Sequence, residues 1–122
     1  MFHIFNSQEE RREYGGSAFI EIQFCRLPRD TSLSEIVDVD SIENWMNDSL
    51  YADDENEFYR EYSRIFDCGT YNNKESGIVD IFGINYYAPS QIERLLSRIH
   101  KEKPADYEVL AQWLECAKQY NG

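Results

Sequence analysis

The chain has 122 residues, enough for one domain and too few for two of ordinary size. Hydrophobic residues make up 42% and aromatics 15%, which supplies a packed core and excludes a disordered chain despite a formal net charge of −11. Nearly all of that charge lies in residues 31–80, with thirteen acids against three bases, so the field repels nucleic acid and anionic membranes and attracts basic partners.

Phe2–Phe5 is a short apolar run that reads as an edge strand. Ser7-Gln-Glu-Glu10 has the form of a capping box and opens either a short helix through Glu13, stopped by Gly15-Gly16, or the loop of a long hairpin. From Ala18 to Arg26 the alternation of Ile20, Ile22 and Phe24 against Glu21 and Gln23 predicts a strand, ended by Pro28. Residues 32–39 carry no clear pattern. Asp40-Ser-Ile-Glu43 is a second capping box, and Ile42, Trp45, Met46 and Leu50 predict a helix running to about Leu50.

Asp53-Asp54 breaks and restarts the chain. A helix from about Glu55 to Asp67 places Phe58, Tyr62, Ile65 and Phe66 on one stripe, with Gly69 as its stop. Tyr71 to Gly77 is a polar turn region, and Ile78–Phe82 predicts a second strand, with Gly83 at its end or in a bulge. Ser90-Gln-Ile-Glu93 is a third capping box, followed by Ile92, Leu95, Leu96 and Ile99 at helical spacing. Pro104 suits the first turn of a last helix lined by Leu110, Trp113, Leu114 and Ala117. Short strands mixed with helices in no β-α-β rhythm predict a single α+β domain over residues 1–122, a small antiparallel sheet packed by several helices.

The residue types that catalysis needs are sparse. His3 and His100 are the two histidines, and no nucleophile-elbow, zinc-helix or phosphate-loop motif occurs. A calcium loop needs Gly at its sixth position and Glu at its twelfth. Counting from Asp38 gives Glu43 and Ser49, and counting from Asp53 gives Phe58 and Arg64. Cys25, Cys68 and Cys116 are odd in number and far apart, which argues for reduced thiols in a cytoplasmic protein. No apolar run approaches the ~20 residues of a membrane span. The expectation is therefore a protein that is not an enzyme and needs no cofactor or metal.

Residues 35–61 hold ten acids, with Arg60 as the one base and Trp45, Tyr51 and Tyr59 interleaved. Asp40 and Asp54 suit helix caps, but caps do not require ten acids. Carboxylates beside Tyr and Trp have the composition of an interface for a basic protein, since the rings anchor and the charges steer. The partner-binding residues expected here are Trp45, Asp48, Tyr51, Asp53, Asp54, Glu55, Glu57, Tyr59 and Glu61.

In its size, the acidic run from Glu35 to Glu61, the Trp45 and Tyr59 aromatics and the α+β pattern ending in Ser90–Lys118, the chain resembles the immunity proteins of bacterial polymorphic toxins, including those of contact-dependent growth inhibition. The resemblance is one of class along the whole chain, with no shared motif. It implies a small cytoplasmic protein that binds a cognate basic toxin, often a nuclease, and occludes its active site without touching nucleic acid or membrane. Rival readings are an adaptor subunit of a larger assembly, a nucleic-acid mimic, and a small metal-dependent enzyme using some of the carboxylates.

Overall fold

The computed structural model describes residues 1–14, 20–38, 48–71, 73–79 and 83–122. Among these, the elements in chain order are β1 (Phe2–Phe5), α1 (Gln8–Tyr14), β2 (Ile20–Ile22), α2 (Leu33–Ile36), β3 (Ser49–Ala52), α3 (Glu55–Tyr62), β4 (Gly69–Tyr71), β5 (Ser76–Gly77), β6 (Asn85–Tyr86), α4 (Pro89–Glu102) and α5 (Tyr107–Ala117). The fold is α+β, as expected, but it is built on two small antiparallel sheets. One has the order β1-β3-β2 and the other β5-β4-β6.

The first sheet corrects the helix expected to run to Leu50. Residues 39–47, with Asp40, Ile42, Glu43, Trp45 and Met46, lie outside the described residues, and Ser49-Leu50-Tyr51-Ala52 forms the central strand β3. All four of its residues are buried, as in a strand covered on both faces, and such a run shows no alternation for a sequence reading to detect. Phe2 pairs with Ala52 and Phe5 with Ser49 on one side; Ile20 pairs with Ala52 and Ile22 with Leu50 on the other. β1 is thus an edge strand.

α1 forms in place of a hairpin loop. Ser7 Oγ accepts from Glu10 N at 3.2 Å, while the Glu10 carboxylate reaches back to Asn6 N at 2.8 Å. β2 is shorter than expected because beyond Ile22 the chain changes partner. Cys25 N donates to Gly122 O at 2.8 Å and Asn121 N donates to Cys25 O at 3.1 Å, so the backbone there pairs with residues 121–122.

Four apolar positions of the helix expected from Glu55 are buried as a stripe: Phe58, Tyr62, Ile65 and Phe66. The regular helix stops at Tyr62, though, and a turn carries the rest. Gly69 is a strand residue and not a helix stop. A Cβ there would lie 2.2 Å from Asn85 Oδ1 on the neighbouring β6, so any larger residue would have to displace the Asn85 side chain. Ile78 and Val79 belong to no strand, and residues 80–82 of that expected strand are outside the described set. A tight hairpin of β4 and β5 takes its place, turning at Lys74 with φ 71°.

α4 and α5 form a helical hairpin. Ile92, Leu95, Leu96 and Ile99 face Leu110, Ala111, Trp113, Leu114 and Ala117 in the main core cluster, which also takes in Ile20, Phe24, Leu50 and the α3 stripe. The cap of α4 is Ala88, not Ser90. Pro89 occupies the first helical position, and Gln91 accepts from Ala88 N at 2.8 Å while donating to Cys68 O at 3.0 Å. α4 ends where Lys103 turns left-handed, and Pro104 lies in the connector before α5 and not inside it.

The two residues that separate strand from helix and loop give a stability test. Leu50→Ala, at a fully buried central-strand position, is expected to cost about 2–5 kcal/mol. Ile78→Ala, at 51% exposure, should cost less than about 0.5 kcal/mol. Chemical denaturation of both variants measures the difference, and the opposite order would remove Leu50 from the core.

Candidate functional site

The nine expected partner-binding residues do not form one surface. Trp45 lies outside the described residues. Asp48 sits across the fold, where it pairs with the guanidinium of Arg26; that guanidinium lies over the rings of Phe24 at 5.4 Å and Tyr120 at 5.2 Å. An ion pair laid on aromatic rings is a structural device as much as a binding one.

Tyr51 is only 4% exposed and so cannot serve as a solvent-facing anchor. Its ring stacks on Phe5 at 4.3 Å, on His3 at 5.1 Å and against Tyr14 at 4.9 Å. This follows from register: His3 lies opposite Tyr51, and Phe5 shares the same face of the sheet. Burial, with the Tyr14 hydroxyl and the charge of Asp53 adding to it, pushes the Tyr51 hydroxyl up to about 12. Tyr59 is partly buried and packs edge-on to Phe58 at 6.4 Å.

The remaining acids gather at α3, each with a local reason. Asp54 caps the helix, its Oδ1 accepting from Glu57 N at 3.1 Å. Asp53 hydrogen-bonds His3 Nε2 through Oδ2 at 2.8 Å, and both side chains are exposed. Glu55 and Glu57 occupy the first helical turn, where the helix dipole favours negative charge. One oxygen of Glu55, Oε2, is buried with no hydrogen-bond partner. Glu61 Oε1 accepts from Ala105 N at 3.2 Å.

That last contact brings in a residue the sequence reading missed. Ala105 is held against α3, so the next residue, Asp106, joins the acids of α3 from far along the chain. Asp106 Oδ2 bonds the Met1 ammonium at 2.9 Å, and this bond, followed by the charges of Asp106, Asp53 and Glu57, holds the ammonium pKa above its ordinary 8.0. Asp106, Glu61 and Glu57 likewise act together on the Tyr62 hydroxyl, which burial has already made hard to ionise. Asp53, Glu57, Glu61 and Asp106 therefore form one acidic face. An Asp just before an apolar helical stripe was the available signal for Asp106, read past because Pro104 drew the helix start upstream.

Among the described residues, no group of three His, Cys, Asp or Glu side chains is placed to hold a metal ion. Cys25 is buried, which pushes its thiol up, while Cys68 is half-buried and Cys116 exposed; none is in a disulfide. No helix among the described residues is long and apolar enough to cross a membrane. Comparison with protein-family models, curated proteins and solved structures finds no match.

Two measurements separate structural acids from available ones and test the buried hydroxyls. Asp54→Ala should cost about 1 kcal/mol through the lost cap, whereas Glu57→Gln should change stability by no more than about 0.5 kcal/mol; equal costs in denaturant would contradict this division. Tyr86, whose hydroxyl donates to Asn121 O, is also pushed up to about 12, chiefly by burial. For Tyr51 and Tyr86 the neutral form is favoured in the folded chain, so their contribution is whole below pH 10.0 and is lost as the pH rises toward 12. Among the late-ionising groups in the tyrosinate absorbance, Tyr51→Phe and Tyr86→Phe should each remove one near pH 12.

Proposed function

We propose that this protein is a binding protein whose acidic face captures a basic partner protein. It acts as an immunity protein acts on a toxin: in the cytoplasm it covers a basic active cleft, as of a nuclease, and keeps the toxin's substrate out. The observation that carries this reading is the convergence of Asp53, Glu57, Glu61 and Asp106 on one face, from two segments far apart in the chain. The Met1 ammonium offsets part of the mutual repulsion among these acids, and a basic partner relieves the rest on binding.

Among the described residues, the aromatic contribution to such an interface is smaller than the sequence implied. Tyr51 is spent inside the first sheet, which leaves the partly buried Tyr59 beside the acidic turn. Steering and charge-assisted bonds to Lys and Arg then carry most of the recognition.

The test is capture of the partner by the intact protein at low salt, followed by measurement of the partner's activity free and in the complex. A basic protein bound at equal stoichiometry, silenced in the complex and released at high salt is the expected result. Glu57→Lys combined with Asp106→Lys should weaken its binding by tenfold or more, that is by at least about 1.4 kcal/mol. Unchanged affinity in a variant that melts normally, or a partner fully active while bound, would overturn the proposal.

A further inference from the structure

Resting on the reading of a basic partner, we infer that the free edge of β1 is where that partner docks, by adding an extended basic segment as a fourth strand to the first sheet. The argument starts from the ladder. Asp53 N donates to Met1 O at 3.0 Å, which makes Met1 and Asp53 a hydrogen-bonded antiparallel pair. Such pairs alternate along the ladder, so His3–Tyr51 and Phe5–Ser49 are bonded pairs too, and Phe2 and Ile4 turn their N–H and C=O groups away from β3. Two donors and two acceptors therefore line the outer side of β1, and no described residue bonds to them.

Edges of this kind are ordinarily blunted by Lys, Pro or a bulge. Phe2-His-Ile-Phe5 has none of these, and its Ile4 side chain is 48% exposed. An added strand would satisfy the backbone groups and cover Ile4 in one step, the pattern of strand-addition recognition.

Charge decides the occupant. Met1 leads directly into β1 and its ammonium lies among Asp106, Asp53 and Glu57, so one end of any strand laid along β1 lies beside those acids. A second copy of this chain carries a net charge of −11 and offers Phe2-His-Ile-Phe5, with no Lys or Arg, as its own edge strand. A segment carrying Lys or Arg brings the opposite sign, and so the edge and the acidic face become parts of one docking surface. The other edge of the sheet serves as an internal control. With Ile20–Ala52 and Ile22–Leu50 paired to β3, only Glu21 turns its backbone groups outward there, and its carboxylate is engaged by Arg11.

The experiment titrates the intact, isotope-labelled protein at low salt with a short peptide of alternating Val and Lys, and with an alternating Val and Glu peptide as its counterpart. Amide hydrogen exchange is followed residue by residue. The expected result is slowing of exchange at Phe2 and Ile4 by about tenfold or more with the basic peptide, none with the acidic one, and none at Glu21. Ile4→Pro should abolish the protection while keeping the pairing with β3, because the N–H it removes points outward. Ile4→Lys, which keeps the backbone intact, should weaken binding of the basic peptide by like-charge repulsion.

Absence of protection, equal protection by both peptides, or binding untouched by either variant would overturn the inference. So would protection of Phe2 and Ile4 in a peptide-free dimer, which would make a second copy the occupant. The partner obtained by capture separates the two proposals. If its affinity falls with Glu57→Lys and Asp106→Lys but not with Ile4→Pro, the acidic face stands and the edge does not. If neither set of variants matters, both fall.

Discussion

The architecture depends on how α3 grips the connector between α4 and α5. Tyr62, fully buried, donates its hydroxyl to Ala105 O at 2.5 Å, and the adjacent Glu61 accepts from Ala105 N at 3.2 Å. Both backbone groups of one residue are thus satisfied by two consecutive side chains of another element. A buried backbone group without a partner costs roughly 1–3 kcal/mol, so the connector has a single comfortable seat. The rest follows from that seat. Tyr62 also stands in a run of rings in which Phe2, Phe58 and Phe66 lie within 5.2–6.2 Å of it, so the grip on Ala105 ties the helical hairpin to the first sheet through continuous aromatic contact.

The same contact builds the acidic face. Because Ala105 is fixed, Asp106 has no choice but to lie beside the acids of α3. The Met1 ammonium is the cation that makes this placement tolerable, since Asp53, Glu57 and Glu61 are already near. Part of the repulsion is offset locally: Asp54 binds the α3 backbone, and the first-turn acids sit at the positive end of the helix dipole. The Met1 ammonium, bonded to Asp106 at 2.9 Å, offsets a further part. Asp53, Glu57, Glu61 and Asp106, and not the whole run of ten acids, make up the acidic face.

Sequence patterning found the elements whose burial is one-sided. The stripes of α4 and α5 were legible because Ile92, Leu95, Leu96 and Ile99, and Leu110, Trp113, Leu114 and Ala117, are buried at helical spacing with polar residues between them. Phe58, Tyr62, Ile65 and Phe66 were legible for the same reason. β3 was not, because a short strand buried on both faces has no period, and Leu50 fitted the helical spacing begun at Ile42. Gly69 was misread because glycine marks both helix ends and tight strand packing, and only the position of Asn85 distinguishes them. Of the site, local charges were legible and their use was not. Asp48 and Asp54 have the same chemistry in sequence, yet one is paired with Arg26 and the other caps a helix. Asp106 could not be placed without the grip on Ala105.

The outer face of the first sheet bears on the proposed recognition through an edge and a charged turn. His3, Phe5 and Tyr51 point away from the main core, which ordinarily makes an aromatic docking platform. Here α1 and its C-terminal Tyr14 close over them. α1 buries none of its own residues, so it is held by its capping box, by the Arg11–Glu21 pair and by the stacking of Tyr14 on Phe5 and Tyr51. Rings already stacked on one another gain little from a partner, because their apolar surface has left water before the partner arrives. Backbone groups on an edge strand and exposed carboxylates are different: both remain solvated in the free protein, and both would gain direct partners in the proposed complex. The first sheet thus covers Phe5 and Tyr51 internally, and the proposed recognition rests on hydrogen bonds and charge.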